Sequence, residues 1–295
     1  MSKIFEALKY SEGEAAEAVF PGLGDASENV PKPAPSPAPF AAVPAPAAPV
    51  PAAKATPPPP EFRVMRLQVL ESSPVLPFDD TNMRASEQYR IIRTRIIQHP
   101  AHPHIIVISS PGPGDGKSVS AINIAGALSL KTAAKVLLVD ADFRRASIHA
   151  QIGFPESPGL ANVLARGCSL EEAVIRSEQF PSLYVLPAGE RPANPTELLD
   201  SPQWTEFCTR LRKDFEYVIL DSPPMEAVAD YDLIQAACDG VVVVVRPDHT
   251  NRKACFELID KVPKSKFVGV LLNCVNEWFL ARPYTYDSYY YRRPE

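Results

Sequence analysis

Glycine is scarce in this 295-residue chain, with 13 residues against 33 prolines, and that imbalance excludes a chain that packs along its whole length. The prolines cluster from Pro31 to Pro60, where "PKPAPSPAPFAAVPAPAAPVPAAKATPPPP" holds little besides Pro and Ala. Such a stretch favours an extended polyproline-type spacer and lacks the apolar variety a core requires. Its P-x-x-P spacings also suit a docking site for an aromatic-lined groove. Cysteine is sparse too: Cys168, Cys208, Cys238, Cys255 and Cys274 are odd in number and show no C-x-x-C spacing. A disulfide framework and a zinc site are therefore not indicated, and a reducing cytoplasm is. No apolar run approaches the ~20 residues that span a bilayer, and "MSKIFEALKYSEGEAAEAVF" lacks the unbroken apolar stretch of a signal peptide. Any membrane association is expected to come through a partner. Basic excess is missing as well. The formal charge of −5 and pI near 5.7 leave no electrostatic footprint for nucleic acid.

What is present falls into four parts. Ile4, Phe5, Leu8, Ala15 and Val19 recur at helical spacing with charged residues between them, so an amphipathic helix is expected over residues 2–19, within an N-terminal segment 1–20. A helix this short must bury its apolar face against a partner, its own domain or lipid, and the polar face is not basic enough to favour lipid. A flexible Pro/Ala-rich linker is expected over 21–80, a single domain over 81–278 and a tyrosine-rich tail over 279–295. In the domain, "SEQYRIIRTRIIQ" reads as a helix over 86–98 on which Glu87, Arg90 and Arg93 form a charged stripe. Beyond it, apolar β-branched runs such as "IIVISS", "KVLLVDAD", "LYVLPA", "FEYVILDSPP", "GVVVVVRP" and "FVGVLLNCV" alternate with helical patterns. Continuous Val/Ile/Leu strands separated by helices predict an α/β fold, a mostly parallel sheet covered by helices on both faces, with ligands at the C-terminal ends of its strands.

The first of those strands runs into "SSPGPGDGKSVS". Gly114, Asp115, Gly116, Lys117 and Ser118 stand where a strand turns into a helix, an arrangement that aims backbone N–H groups and a helix dipole at one phosphate. Lys117 would reach the β- and γ-phosphates and Ser118 would ligate Mg²⁺. The pattern G-x-x-x-x-G-K-[ST] is incomplete, because its first glycine falls on Pro111. Two other strands end in carboxylates: "VLLVDADFRR" delivers Asp140 and Asp142, and "YVILDSPP" delivers Asp221. A lone strand-end aspartate is often a cap or turn former. Three beside a triphosphate would repel it unless they ligate a divalent cation or await a proton from an acceptor.

On these motifs, from about residue 84 onward, the sequence resembles the bacterial tyrosine kinases of capsule and exopolysaccharide synthesis, a branch of the P-loop ATPases related to the MinD and ParA partitioning proteins. The modified Walker A "SSPGPGDGKS", Walker A′ "LLVDADFR", Walker B "VILDSPP", the E-x-x-R-x-x-R triplet, "ANPTELLDSPQW" and the terminal tyrosine cluster carry the likeness. "MSKIFEAL" looks like the start of stand-alone kinases found in exopolysaccharide clusters. The resemblance implies nucleotide contacts from Pro113, Gly114, Asp115, Gly116, Lys117, Ser118 and Val119. It implies that Lys117 stabilises the transferring phosphoryl group, that Ser118, Asp142 and Asp221 hold Mg²⁺ and that Asp140 accepts the tyrosine proton. Arg144 is open between phosphate contact and loop positioning, and Asn273 between adenine contact and a turn. The Glu87, Arg90 and Arg93 stripe is open between a subunit interface and a solvated helix face.

Half of the ten tyrosines stand in the last twelve residues, "YTYDSYYYRRPE", in no pattern that would bury one face. The resemblance makes Tyr284, Tyr286, Tyr289, Tyr290 and Tyr291 acceptors in the active site of a neighbouring subunit of a ring-like homo-oligomer. It also implies a membrane-embedded polysaccharide co-polymerase as activator, a tyrosine phosphatase as antagonist, and a cytoplasmic protein recruited to the inner face of the membrane. Against a MinD/ParA-like ATPase switch stands the absence of any Lys between residues 98 and 117, where such proteins carry a signature lysine. A scaffold whose nucleotide site serves only assembly is the third possibility.

Overall fold

The computed structural model describes residues 62–69, 74–75, 83–131, 134–226 and 229–275. The expected N-terminal helix, most of the expected linker and the tyrosine tail lie outside the described residues. Eight strands form one sheet: β1 (Arg63–Met65), β2 (Ile105–Ser109), β3 (Val136–Asp140), β4 (Ile175–Ser177), β5 (Leu183–Leu186), β6 (Tyr217–Asp221), β7 (Gly240–Val245) and β8 (Phe267–Leu272). Their spatial order is β1-β4-β5-β3-β6-β2-β7-β8. Every pairing is parallel except β4 with β5. The α/β class with a mostly parallel sheet is thus the architecture observed.

Five helices of eight or more residues are described: α1 (Met83–Ile97), α2 (Lys117–Lys131), α3 (Pro202–Asp214), α4 (Ala229–Ala237) and α5 (Arg252–Ile259). Successive side chains of a strand point to opposite faces, and β2 shows how this builds two cores. Ile105 and Val107 pack with Trp204, Phe207, Leu211, Ile234 and Leu258 of α3, α4 and α5. Ile106 and Ile108 pack with Ile96, Ile122 and Leu128 of α1 and α2. A strand covered on both faces has no use for polar alternation, which is why β2, β3 and β7 are buried at every position.

One expectation needs correction. Composition assigns residues 21–80 to a linker, yet β1 lies inside that range and pairs with β4, with Arg63 opposite Ile175 and Met65 opposite Ser177. Leu67 and Val75 are buried in the core on the α2 side. Phe62 packs edge-on to Tyr184 at 5.1 Å and tilted to Phe215 at 6.4 Å. The physical reason is that this stretch, "FRVMRLQV", has the apolar side chains that the Pro/Ala tract lacks. The helix expected over 86–98 begins earlier, at Met83, and ends at Ile97.

Candidate active site

The central position of β2, between β6 and β7, brings the loops that follow five adjacent strands to one rim of the sheet. After β2 comes the phosphate loop. Gly114 and Gly116 both adopt φ +88°, a left-handed conformation that side chains disfavour, and α2 starts immediately afterwards at Lys117. The loop is stapled at its base to the chain after β6: Met225 N donates to Ser110 O at 2.9 Å and Glu226 N to Pro111 O at 3.2 Å. Pro111 is buried and accepts at this staple, a duty that needs no glycine.

The Asp115 side chain belongs to the scaffold of the loop. Its carboxylate is 1% exposed and turns away from the loop's open side. Oδ1 accepts from the Thr250 hydroxyl at 2.7 Å and lies 3.0 Å from His249 Nδ1, while Oδ2 accepts from Gly112 N at 3.4 Å. Asn273 is likewise turned to the loop itself: its Nδ2 donates to the Asp115 carbonyl at 2.9 Å. The loops after β7 and β8 therefore hold the phosphate loop in shape from outside. Pro113 and Gly114 are exposed at its apex, and Gly116, Ser118 and Val119 are half-buried along it.

Lys117 points across the rim. Its Nζ is 2.9 Å from Asp142 Oδ2, 3.8 Å from Asp221 Oδ1 and 3.5 Å from Ser118 Oγ. Burial works against its charge, but Asp221 and Asp142 outweigh burial and raise its pKa. Asp140 and Asp221 are register partners on neighbouring strands, and both are fully buried. Burial pushes the Asp140 carboxyl up to about 6, against three backbone N–H donors. Its Oδ2 accepts from Ser147 N at 3.0 Å and Ile148 N at 3.1 Å, and its Oδ1 from Asp142 N at 3.2 Å. Asp140 thus also ties down the loop that carries Asp142. Burial pushes Asp221 further, to about 7, although Lys117 opposes the shift. Neither Asp221 oxygen completes a hydrogen bond. Two orphaned oxygens beside Ser118 fit a hard cation, which takes oxygen ligands and keeps several waters of its own. No group of three or more His, Cys, Asp or Glu that could hold a metal exists among the described residues, so a cation here would depend on phosphate and water for the rest of its shell.

Arg144 is tied to the scaffold by its side chain. Its Nε donates to Asp230 Oδ2 at 2.8 Å, and Asp230 Oδ1 also accepts from the Thr196 hydroxyl. Thr196 belongs to the "ANPTELLDSPQW" segment, whose helix Pro195–Leu199 begins with proline at its first position and whose Trp204 stacks on Phe207. On α1, Glu87 and Arg90 are exposed and paired at 3.2 Å, whereas Arg93 is half-buried and its Nη1 donates to Ala127 O of α2 at 3.3 Å. Two members of the stripe face outward; the third also clips two helices together. Thr196, Asp230, His249 and Thr250 are site residues that sequence reading missed. Only Thr196 stood inside a recognised motif.

Comparison with known proteins agrees with this geometry. The model of a family described as an AAA domain matches residues 103–266. Tyrosine-protein kinase YwqD of Bacillus subtilis (strain 168) is 35% identical over 192 residues, which is 64% of this chain and 80% of that protein. Tyrosine-protein kinase CpsD of Streptococcus agalactiae is 33% identical over 198 residues, 66% of this chain and 85% of that protein. The crystal structure of the chimerical protein CapA2B2 superimposes with a TM-score of 0.63 at 30% identity, covering 72% of this chain and 93% of that one. With a phosphate loop, a lysine between two strand-end aspartates and relatives matched over most of their length, the chain belongs to the bacterial tyrosine-protein kinases, built on a P-loop AAA domain.

Proposed function

We propose that this chain is an ATP-dependent autokinase that phosphorylates its own C-terminal tyrosines, Tyr284, Tyr286, Tyr289, Tyr290 and Tyr291, between subunits, and thereby regulates polymerisation and export of a capsular or extracellular polysaccharide. The observation that carries the reading is Lys117, held between Asp142 and Asp221 at the mouth of a phosphate loop whose shape is already set. A fixed cationic Nζ at this point offsets negative charge developing on the equatorial oxygens of a phosphoryl group in flight. The backbone N–H groups from Gly114 to Ser118 orient the nucleotide. Ser118, Asp142 and Asp221 would hold Mg²⁺, which supplies charge neutralisation between the phosphates when bound. Asp140 accepts the phenol proton in this scheme: its Oδ1 accepts one N–H where Oδ2 accepts two, and a pKa of about 6 suits a base working at neutral pH.

Glu87, Arg90 and Arg93 form the subunit contact in this reading, and a membrane-embedded co-polymerase recruits and activates the assembly until a tyrosine phosphatase resets it. No helix among the described residues is long and apolar enough to cross a membrane. The deciding experiment incubates the full chain with Mg-ATP and maps phosphate by mass spectrometry of the C-terminal peptide. Phosphotyrosine within 284–291, lost in Lys117→Met, supports the proposal. Phosphate on serine or threonine, or release of free phosphate alone, overturns it.

A further inference from the structure

Asp230 carries none of the sequence motifs, yet it is 2% exposed and both of its carboxylate oxygens are engaged. Oδ2 accepts from Arg144 Nε at 2.8 Å and Oδ1 accepts from the Thr196 hydroxyl at 2.5 Å. The next links run through the Arg144 backbone. Its N–H donates to Asp142 Oδ1 at 3.2 Å, that of Arg145 donates to the same oxygen at 3.0 Å, and Asp142 Oδ2 takes Lys117 Nζ at 2.9 Å. One line of hydrogen bonds therefore joins Thr196, Asp230, Arg144, Asp142 and Lys117, connecting the helix Pro195–Leu199 to the lysine of the phosphate loop.

The physical case rests on what each link can do alone. A buried carboxylate without its cation is costly, so Asp230 holds the Arg144 guanidinium firmly. Holding that side chain on α4 adds a restraint to the short loop from Ala141 to Ser147, which is otherwise anchored by Ala141 N donating to Asp221 O at 2.9 Å, by the amides bonded to Asp140 and Asp142, and by Phe143 in the core. Two amides in the middle of this restrained stretch, those of Arg144 and Arg145, set the direction of the Asp142 carboxylate. Lys117 has two aspartates within reach, at 2.9 and 3.8 Å, so the direction of Asp142 decides which one it favours.

We infer that Asp230 is a positioning residue for phosphoryl transfer: acting through Arg144 it orients Asp142, and with it Lys117, and it couples that orientation to the Pro195–Leu199 helix. The inference rests on the kinase reading above for its chemistry. Asp230 touches none of the residues assigned to nucleotide contact, so its removal should act on the transfer step and leave nucleotide binding to the phosphate loop.

The test uses the full chain with Mg-ATP, comparing the native protein with Asp230→Asn, Thr196→Val, Arg144→Gln and the Asp230→Asn/Arg144→Gln double variant. The expected result is a fall in kcat of roughly tenfold or more for Asp230→Asn with ADP affinity within about twofold of native, and a smaller fall in the same direction for Thr196→Val. The double variant should be hardly worse than Asp230→Asn, because the two residues act as one unit. A kcat kept within twofold, or a loss of ADP affinity matching the loss of rate, overturns the inference. Should Asp230→Asn fail to fold, Thr196→Val decides, and an unchanged kcat there overturns it. A native chain that transfers no phosphate strikes at the kinase reading alone. Amide hydrogen exchange at Arg144 and Arg145 then judges the relay: faster exchange in Asp230→Asn or Thr196→Val upholds it, and unchanged protection sinks it.

Discussion

The side-chain amide of Asn273 occupies the space that a methyl group on Gly116 would need: an ideal Cβ at Gly116 would lie 2.0 Å from Asn273 Nδ2. Gly116 also holds φ +88°. Gly116→Ala therefore meets both a collision and a strained backbone, and ADP binding is expected to fall by more than tenfold in calorimetric titration. Adding Asn273→Ala should relieve the collision and recover only part of the loss. Full recovery would show that backbone conformation is irrelevant at Gly116.

The clamp on the phosphate loop predicts a second effect. Asp115→Asn keeps the size of the side chain but removes the charge that Thr250, His249 and Gly112 share. ADP affinity should drop by about 5- to 10-fold, the equivalent of roughly 1–1.4 kcal/mol, with the fold intact by circular dichroism. Affinity unchanged from native would mean that the loops after β7 and β8 merely touch the phosphate loop.

Buried carboxylates give the nucleotide-free protein a distinctive pH profile. Asp140 and Asp221 are raised to about 6 and about 7, so between pH ~4 and ~7 the folded chain retains protons that the unfolded chain has released. Their contribution is fully present below pH ~4 and is lost as pH rises through 6 and 7. Asp221→Asn carries no such charge. Its Tm should rise relative to native between pH 5 and pH 7.5, by an amount on the order of 2 kcal/mol in stability. A Tm difference that stays constant across this range would contradict the assignment.

On α1 the two arginines should separate. Arg90 pairs only with exposed Glu87 among the contacts described, so Arg90→Ala is expected to weaken assembly in light scattering while changing monomer stability by less than about 0.5 kcal/mol. Arg93→Ala should weaken assembly and also cost about 1 kcal/mol in urea unfolding, because it gives up its bond to the Ala127 carbonyl. Native mass unaffected by both changes would remove the stripe from the interface.

Phosphorylation should dissolve the assembly. Five phosphotyrosines add roughly −7 to −10 charges, which sit badly beside Asp140, Asp142 and Asp221. Native mass should therefore fall after ATP treatment and remain constant in a variant with phenylalanine at all five tail positions. A larger particle after phosphorylation would make the tail a clamp, with Arg145 as a candidate partner.

The sequence made the sheet legible where it was buried on both faces. Runs such as "VVVVV" and "VLLVD" read as buried strands, and β2, β3, β5, β6 and β7 lie where those runs predicted; β8 also lies where its run predicted, although it is half-exposed. The three-residue strands β1 and β4 were not legible, because three residues are too few to display an alternation and β1 is held only as the outer partner of β4. The same division holds at the site. Lys117 announces itself in the glycine-rich loop that enters a helix, and Asp142 and Asp221 at the ends of apolar strands. His249 and Asp230 do not, since their partners stand 134 and 86 residues away and only the closed fold joins them. Asp115 was visible but its direction was not: a polar residue in a phosphate loop can face the phosphate or the scaffold, and local spacing is the same for both.

The placement of β1 at the far edge of the sheet has a mechanical consequence. Tension on the chain preceding Phe62 is delivered first to the β1–β4 ladder and to the aromatic contacts of Phe62 with Tyr184 and Phe215. That anchorage reaches as far as β5, which carries Tyr184 and is itself paired with β3, the first strand to bear an active-site aspartate. A tether pulled from the N-terminal side would load that border of the sheet first, with β3 and β6 between it and β2, the strand that leads into the phosphate loop, so the domain can be moored by this end at a distance from its site.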